Sequence, residues 1–144
     1  MIGIGSDHGG FELKGYIIEY LKEKGYEIKD YGTYSEDSID YPDCAAPVCK
    51  AVQSGEIEKG ILICGTGIGI SIAANKYKGI RAALCADVYS AKMSRQHNNA
   101  QILCLGGRVT GRELAYMIVD TWLTTEFEGG RHEKRVEKIH LAEN

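Results

Sequence analysis

Residues 61–76 read ILICGTGIGISIAANK, and this stretch decides the fold. An apolar run of strand length ends at Cys64, and glycines follow at Gly65, Gly67 and Gly69 before a helix-like segment begins. A buried strand that turns sharply into a helix is typical of a βα unit. The backbone N–H groups of such a turn lead into a helix N-terminus, which favours anions. The thiol of Cys64 therefore directly precedes a loop whose backbone favours negative charge.

Short apolar runs alternate with longer amphipathic segments along the rest of the chain. Strands are predicted at 1–6, 26–31, 60–64, 80–85 and 101–105. Helices are predicted at 11–24, 42–55, 68–76, 87–97 and 110–124, followed by a charged helix that ends near 141. Asp87 and Thr110 are the expected caps of two of them, and Leu114, Ile118 and Trp122 the expected apolar face of the fifth. This order predicts an α/β fold, in which a five-stranded parallel sheet carries helices on both faces and an extra C-terminal helix.

Composition narrows the class of protein. The chain has 144 residues and a formal net charge of -3, so we expect one domain, 1–144, and no nucleic-acid partner. Five cysteines form no CxxC pair, and with four histidines they show no zinc-site spacing. Reduced thiols are typical of a cytoplasmic protein. The first residues do not look like a signal peptide, and no run approaches the roughly 20 apolar residues of a membrane span.

Polar residues follow several of the predicted elements. In a parallel α/β sheet, ligands bind beyond the carboxyl ends of the strands, so we expect one cleft lined by these side chains. They are Asp7 and His8 after the first strand, Cys64 and Thr66 after the third, His97 and Asn98 after the fourth helix, and Arg108 after the fifth strand.

Cys64 is the sharpest of these candidates. The dipole of the following helix favours a thiolate, which serves a general base or a nucleophile. The alternative is a small buried apolar residue, which is how we interpret Cys85 and Cys104. The hydroxyl of Thr66 could relay a proton or only satisfy a backbone group. His8 and His97, taken singly, are as compatible with structural roles as with catalysis.

The glycine loop has two other interpretations. One is a tight turn without a ligand. The other is a dinucleotide fingerprint, but the spacing here is GxGxG rather than GxGxxG, and the loop follows the third strand instead of the first.

Arg131 and Arg135 lie four residues apart in the first turns of the last helix, so they share one face. Positive charge at a helix N-terminus is unfavourable by about 0.3 kcal/mol or more, and a bound anion reverses that penalty. Two guanidinium groups on one face can hold a phosphate through several charge-assisted hydrogen bonds. The alternative is a solvated charged face.

Taken together, these segments resemble one family over essentially the whole chain. SDHGGFELK (6–14), DYGTYSEDSIDYP (30–42), the stretch at 61–76, SRQHNNAQILCLGGR (94–108) and EGGRHEKRVE (128–137) are similar to ribose-5-phosphate isomerase type B. That family also includes isomerases of allose 6-phosphate and galactose 6-phosphate. The resemblance implies a Rossmann-like fold and no metal or organic cofactor. It also implies interconversion of ribose 5-phosphate and ribulose 5-phosphate through a cis-enediolate, in the pentose phosphate pathway.

The resemblance also implies a role for each matching residue. Cys64 would move the proton between C1 and C2, Thr66 would assist transfer between O1 and O2, and His97 would help to open the furanose ring. The amides of Gly65, Thr66, Gly67, Ile68 and Gly69 would hold the enediolate, and Asp7 would contact sugar oxygens. His8, Arg131 and Arg135 would hold the phosphate, with Asn98 and Arg108 completing the pocket. Relatives without the cysteine carry a glutamate at position 70, where this chain has Ile70.

A shared site is a further implication of the resemblance. The SRQHN turn and Arg108 would reach a site in the neighbouring subunit, so we expect a homodimer or a tetramer. Three alternatives stay open: the same chemistry on a hexose 6-phosphate, a non-catalytic nucleotide- or phosphate-binding module, and an acyl or phosphoryl transferase that uses Cys64 as a nucleophile.

Overall fold

The structure, a computed structural model, describes residues 1–143 as a five-stranded parallel sheet between two helical layers. The strands are β1 (Ile2–Ser6), β2 (Ile28–Asp30), β3 (Lys59–Cys64), β4 (Ala82–Leu84) and β5 (Ile102–Gly106). The helices are α1 (Phe11–Glu23), α2 (Tyr41–Ser54), α3 (Ile68–Ala74), α4 (Val88–Gln96), α5 (Arg112–Thr124) and α6 (Arg131–Leu141). The predicted α/β architecture is confirmed.

The strand order is β2-β1-β3-β5-β4, with β3 in the centre. Helices cover both faces of the three central strands, which explains why ILIC in β3 is apolar without alternation. The two edge strands are shorter than predicted, three residues each, and are partly exposed. Short edge strands limit unwanted pairing with other chains.

Two separate apolar cores flank the sheet. Ile17 of α1 and Trp122 of α5 are fully buried on one face, and the indole Nε1 of Trp122 donates to the carbonyl of Ala100 at 3.1 Å. Val48 of α2 and Ile70 of α3 are fully buried on the other. Each helix presents one apolar stripe to the sheet, so the arrangement has three layers.

Several predicted details of the helices can now be checked. Asp87 caps α4 as expected, since its carboxylate accepts the N–H of Ser90 at 2.7 Å. Thr110 was expected to cap α5, but this prediction is wrong: the N–H groups of residues 109 and 110 both turn back to the carbonyl of Gly106, so the helix begins only after Gly111. Leu114 is also exposed, because the buried face of α5 runs through Ala115 rather than through the residue before it.

The order of the strands reverses between β1 and β3. The chain leaves β1 toward β2 on one side and then returns to place β3 on the other side of β1. Loops on either side of such a reversal diverge, and a crevice opens at the carboxyl ends of the two strands. Among residues 1–143, no helix has both the length and the apolar character that crossing a bilayer requires.

Candidate active site

Three loops meet in the crevice, and we call them together the carboxyl edge: residues 7–10 after β1, 65–67 after β3 and 107–110 after β5. Their backbones touch. A Cβ on Gly9 would lie 2.9 Å from the nitrogen of Gly65, and one on Gly107 would lie 2.6 Å from the carbonyl oxygen of Gly9. Only glycine permits such approaches. The N–H of Gly107 also donates to the carbonyl of Cys64 at 2.8 Å, which locks the loops after β3 and β5 together.

Cys64 is the last residue of β3, and its side chain is almost fully buried under the loop that follows. Its Sγ accepts the N–H of Gly67 at 3.1 Å. Gly67 has a φ of +79°, in the left-handed region, and this conformation turns its N–H back toward the sulfur. The loop therefore directs a backbone N–H dipole at this sulfur.

The other four cysteines lie in very different surroundings. Burial raises the pKa of Cys44 and of Cys85 to about 11 and that of Cys49 to about 12, and it raises the pKa of Cys104 well above its ordinary value. These groups remain thiols at neutral pH and fill space in the core. The sequence interpretation of Cys85 and Cys104 as apolar residues fits these surroundings.

The remaining loop residues surround the sulfur with polar groups. Thr66 is exposed, and its Oγ1 accepts the N–H of Ile68 at 3.1 Å, so its hydroxyl hydrogen is free to point elsewhere. A Cβ on Gly69 would lie 2.7 Å from the ring of Tyr41, which places that ring against the start of α3. Ile70 is fully buried and lies in the core under the loop.

Asp7 and His8 come from the loop after β1. Asp7 is buried, and its Oδ1 accepts the N–H groups of Gly9 at 2.9 Å and Gly10 at 3.2 Å. His8 accepts the N–H of Ile39 at its Nδ1, at 3.2 Å. This bond assigns the hydrogen of the neutral ring to Nε2, which can then donate to a ligand. Arg108 and His8 line one side of a cavity of about 490 Å³.

One residue that sequence reasoning missed supports this edge. Lys14 is buried, and its Nζ donates to Asp30 and to the carbonyl of Thr33, both at 2.6 Å. It ties α1 to the start of the loop whose later residue, Ile39, holds His8. Its only sequence signal is its place in the SDHGGFELK segment.

The other predicted site residues lie at the opposite end of the sheet, and we call this set the amino edge: His97, Asn98, Arg131 and Arg135. His97 follows the last turn of α4, just before the chain enters β5. The carbonyl of Gln101 accepts the N–H of Gly60, at the start of β3, whereas Cys64 ends that strand. A six-residue strand is about 17 Å long. Within one chain, His97 and Cys64 therefore do not line the same cleft.

Contacts between α4 and α6 hold the amino edge together. The N–H of Glu128 donates to the carbonyl of Gln96 at 3.0 Å, and the ring of His97 stacks on that of His132 with centroids 4.2 Å apart and planes 14° apart. Arg131 and Arg135 are both exposed and begin α6, as predicted. Asn98 is exposed and borders a second cavity, of about 620 Å³.

Nitrogen and oxygen atoms of His97, Glu128 and His132 lie within 4.8 Å of one another, a separation short enough for three ligands of one metal ion. An imidazole binds a metal through a lone pair in the plane of its ring. The two rings are nearly parallel and stacked, so these lone pairs do not converge on one point. This geometry does not form a metal site.

The chain matches known proteins over most of its length. Residues 2–139 match the model of the family described as Ribose/Galactose Isomerase. The chain is 56% identical to ribose-5-phosphate isomerase B of Escherichia coli over 142 residues, 99% of this chain and 95% of that protein. It is 48% identical to D-erythrulose-4-phosphate isomerase of Pectobacterium atrosepticum, over 99% of this chain and 95% of that one.

A solved structure shows the same fold. Ribose-5-phosphate isomerase B of Clostridium thermocellum is 60% identical and superposes with a TM-score of 0.98, covering 99% of this chain and 96% of that one. Both the sequence match and the structural match extend over almost the full length. The chain therefore belongs to the ribose/galactose isomerase family.

Proposed function

We propose that this protein is an aldose–ketose isomerase that interconverts D-ribose 5-phosphate and D-ribulose 5-phosphate. The observation that carries the proposal is the environment of Cys64, a thiol held beneath a loop whose N–H of Gly67 points at its sulfur. The two relatives that share the name ribose-5-phosphate isomerase B, at 56% and 60% identity, support the choice of sugar.

The chemistry follows from the carboxyl edge. The thiolate of Cys64 removes the hydrogen next to the carbonyl and returns it to the neighbouring carbon, through a cis-enediolate. The backbone N–H groups of 65–69 stabilise the oxyanion, because fixed dipoles need no reorganisation as charge develops. The hydroxyl of Thr66 assists proton transfer between O1 and O2, and the carboxylate of Asp7 orients the sugar hydroxyls.

The amino edge supplies the other half of the reaction. His97 transfers the proton that opens the furanose ring, a task suited to imidazole near pH 7. Arg131 and Arg135 bind the phosphate together with His8 from the carboxyl edge of the other copy. Asn98 and, from that carboxyl edge, Arg108 complete the pocket. Binding energy from the phosphate fixes the register of the sugar on the base.

We also propose that the protein works as a homodimer, or as a tetramer built from such dimers, with each site shared between two copies. The amino edge and the carboxyl edge of one chain lie too far apart to act on one small sugar. A two-fold axis brings the carboxyl edge of one copy to the amino edge of the other and does so twice. The single sheet supports one catalytic domain, 1–144, and the free thiols support a cytoplasmic location. That the reaction needs no added metal or cofactor is an implication of the family resemblance alone.

The test is an assay of purified protein with ribose 5-phosphate, in the absence of added metal, that follows ribulose 5-phosphate. Allose 6-phosphate, galactose 6-phosphate and D-erythrose 4-phosphate are assayed beside it, the last because a relative at 48% identity is named for erythrulose 4-phosphate. Turnover that is fastest on ribose 5-phosphate supports the proposal. Faster turnover on another sugar reassigns the substrate, and tight binding without turnover supports the binding-module alternative. A covalent adduct on Cys64, detected by mass spectrometry, supports the transferase.

A further inference from the structure

His132 is a buried imidazole to which the proposed mechanism gives no task. It is the only buried residue of α6, and its side chain is 6% exposed. Its Nε2 is buried without a hydrogen-bond partner among residues 1–143, and the carboxylate of Glu128 lies 3.8 Å away. A buried polar atom without a partner is destabilising, and an apolar side chain would avoid the cost. Packing alone therefore does not account for a histidine at this position.

The contact that His132 does make is with His97. The two rings lie face to face, 4.2 Å between centroids and 14° between planes. The backbone N–H of His97 donates to the carbonyl of Met93 at 2.8 Å, which closes the last turn of α4. The backbone of His97 is therefore set by α4, and its ring is set by a flat surface on α6.

The two rings have opposite electrostatic surroundings. His97 follows the C-terminus of α4, where the helix dipole favours positive charge, and His132 is the second residue of α6, where the dipole opposes it. Burial, and then the neighbouring His97 ring, lower the pKa of His132; Arg131 and Arg135 lower it further, and only Glu128 raises it. His132 therefore favours its neutral form and presents an uncharged ring to His97.

We propose that His132 is a positioning residue, a neutral flat support that holds the His97 ring in the orientation needed for ring opening. This inference rests on the proposed function, in which His97 opens the furanose ring. His132 itself is stacked behind His97 and does not touch the sugar. Its effect on the reaction is transmitted through the orientation of the His97 ring.

The two directions of the reaction separate this role from a purely structural one. Ribose 5-phosphate is a furanose and must be opened. Ribulose 5-phosphate is acyclic, because the oxygen that would close its ring carries the phosphate. A defect in ring opening therefore lowers kcat on ribose 5-phosphate. It spares kcat on ribulose 5-phosphate, because the aldose formed from it can leave the enzyme as the open-chain aldehyde and close its ring in solution. Because the overall equilibrium constant is unchanged, kcat/KM must change by the same factor in the two directions, so the asymmetry appears in kcat.

The experiment measures kcat and KM in both directions for the wild type, His132→Ala, His132→Phe and His140→Ala. We expect His132→Ala to lower kcat on ribose 5-phosphate about 10-fold or more and to leave kcat on ribulose 5-phosphate within about 2-fold. His132→Phe restores a flat neutral ring and should recover most of the loss. His140, on the same helix, contacts Arg81 and Glu143 instead of His97 and is the matched control.

Three results would overturn the inference. They are an equal loss in both directions by a folded His132→Ala, no loss in either direction, and a folded His132→Phe that is as impaired as His132→Ala. Circular dichroism establishes folding, and His132→Leu, which fills the space without a flat ring, replaces His132→Ala if the latter does not fold. A folded wild type that is inactive in both directions contradicts the proposed function itself, which is a distinguishable outcome.

Discussion

The two edges of the sheet differ in the kind of group that each contributes to the proposed site. At the carboxyl edge the groups proposed to act on the enediolate are backbone N–H groups and one buried thiol, held where three glycine loops touch, and the side chains of Asp7, His8 and Arg108 lie in the same loops. At the amino edge they are side chains, the imidazole of His97 and the exposed guanidinium groups of Arg131 and Arg135. Stabilising an enediolate requires dipoles that are already in place, and backbone supplies these. Phosphate binding and ring opening require mobile protons and charge, which side chains supply.

The difference is also the reason for proposing that one chain alone does not form a complete site. Each edge carries half of the proposed chemistry, and the length of β3 separates them. Symmetric pairing completes two sites with no additional residue. The following predictions test how far the two edges act as separate and complementary halves.

The largest effect is expected at the base. Cys64→Ala removes the group that takes the C1 or C2 hydrogen, and kcat should fall about 10³- to 10⁴-fold. Cys49→Ala is the matched control, since its buried thiol lies in the core and should leave kcat within about 3-fold. Steady-state assays of both variants give the comparison. A folded Cys64→Ala that keeps a tenth of the activity would show that another group is the base.

The next largest effect is a recovery of activity when two inactive variants form mixed dimers. Cys64→Ala and His97→Ala should each be nearly inactive alone, but mixing and re-forming dimers creates one intact site in each mixed dimer. Random pairing then predicts about a quarter of the wild-type activity. The measurement is activity after equal amounts of the two variants are unfolded and refolded together, with separately refolded samples as the control. No recovery would mean that the two edges do not meet across an interface.

A smaller loss is expected at the phosphate. Arg131→Ala removes charge-assisted hydrogen bonds and should raise KM about 10- to 100-fold, with a smaller change in kcat. Lys134→Ala, an exposed cation of the same helix, is the control and should change KM by less than about 2-fold. Initial rates over a range of ribose 5-phosphate concentrations separate the two parameters. Equal effects of both variants would argue for general charge attraction instead of a specific clamp.

The smallest effect concerns pH and stability. Burial, and then the His97 ring, lower the pKa of His132, so the unfolded chain binds this proton more readily than the folded one. The contribution of neutral His132 to the free energy of unfolding is therefore fully present above about pH 6.5 and declines as the pH falls below that value. Carboxylates with a lowered pKa, such as Glu56 and Glu143, stabilise the fold when ionised, and that contribution is lost only below about pH 4.5. Between pH 7.5 and 5.5 the Tm of the wild type should fall more than that of His132→Phe, and equal falls would contradict this assignment.

Parts of the fold and of the candidate site could be predicted from particular residues of the sequence. Alternating apolar and amphipathic segments predicted the parallel sheet, and the glycines after Cys64 predicted the loop at its carboxyl end. These succeed because periodicity and glycine act locally. Thr110 failed as a cap because two backbone hydrogen bonds to Gly106 delay the start of α5, a competition that residue type does not reveal.

The position of His97 shows where local reasoning stopped. It follows a helix and precedes a strand, and the end of a crossover helix lies at the amino ends of parallel strands, so this signal was available. No comparable signal in the sequence predicted that His97 stacks on His132, since the contact joins residues 35 positions apart.

The sequence by itself determined the element order, the thiol at the mouth of a glycine loop and the pair of arginines on one helix face, because each depends on neighbours along the chain. Only the tertiary structure decided which groups meet. It placed Cys64 and His97 at opposite ends of the sheet, seated His132 behind His97 and tied His8 to Ile39. These relations depend on packing between elements far apart in the chain, and packing is a property of the whole fold.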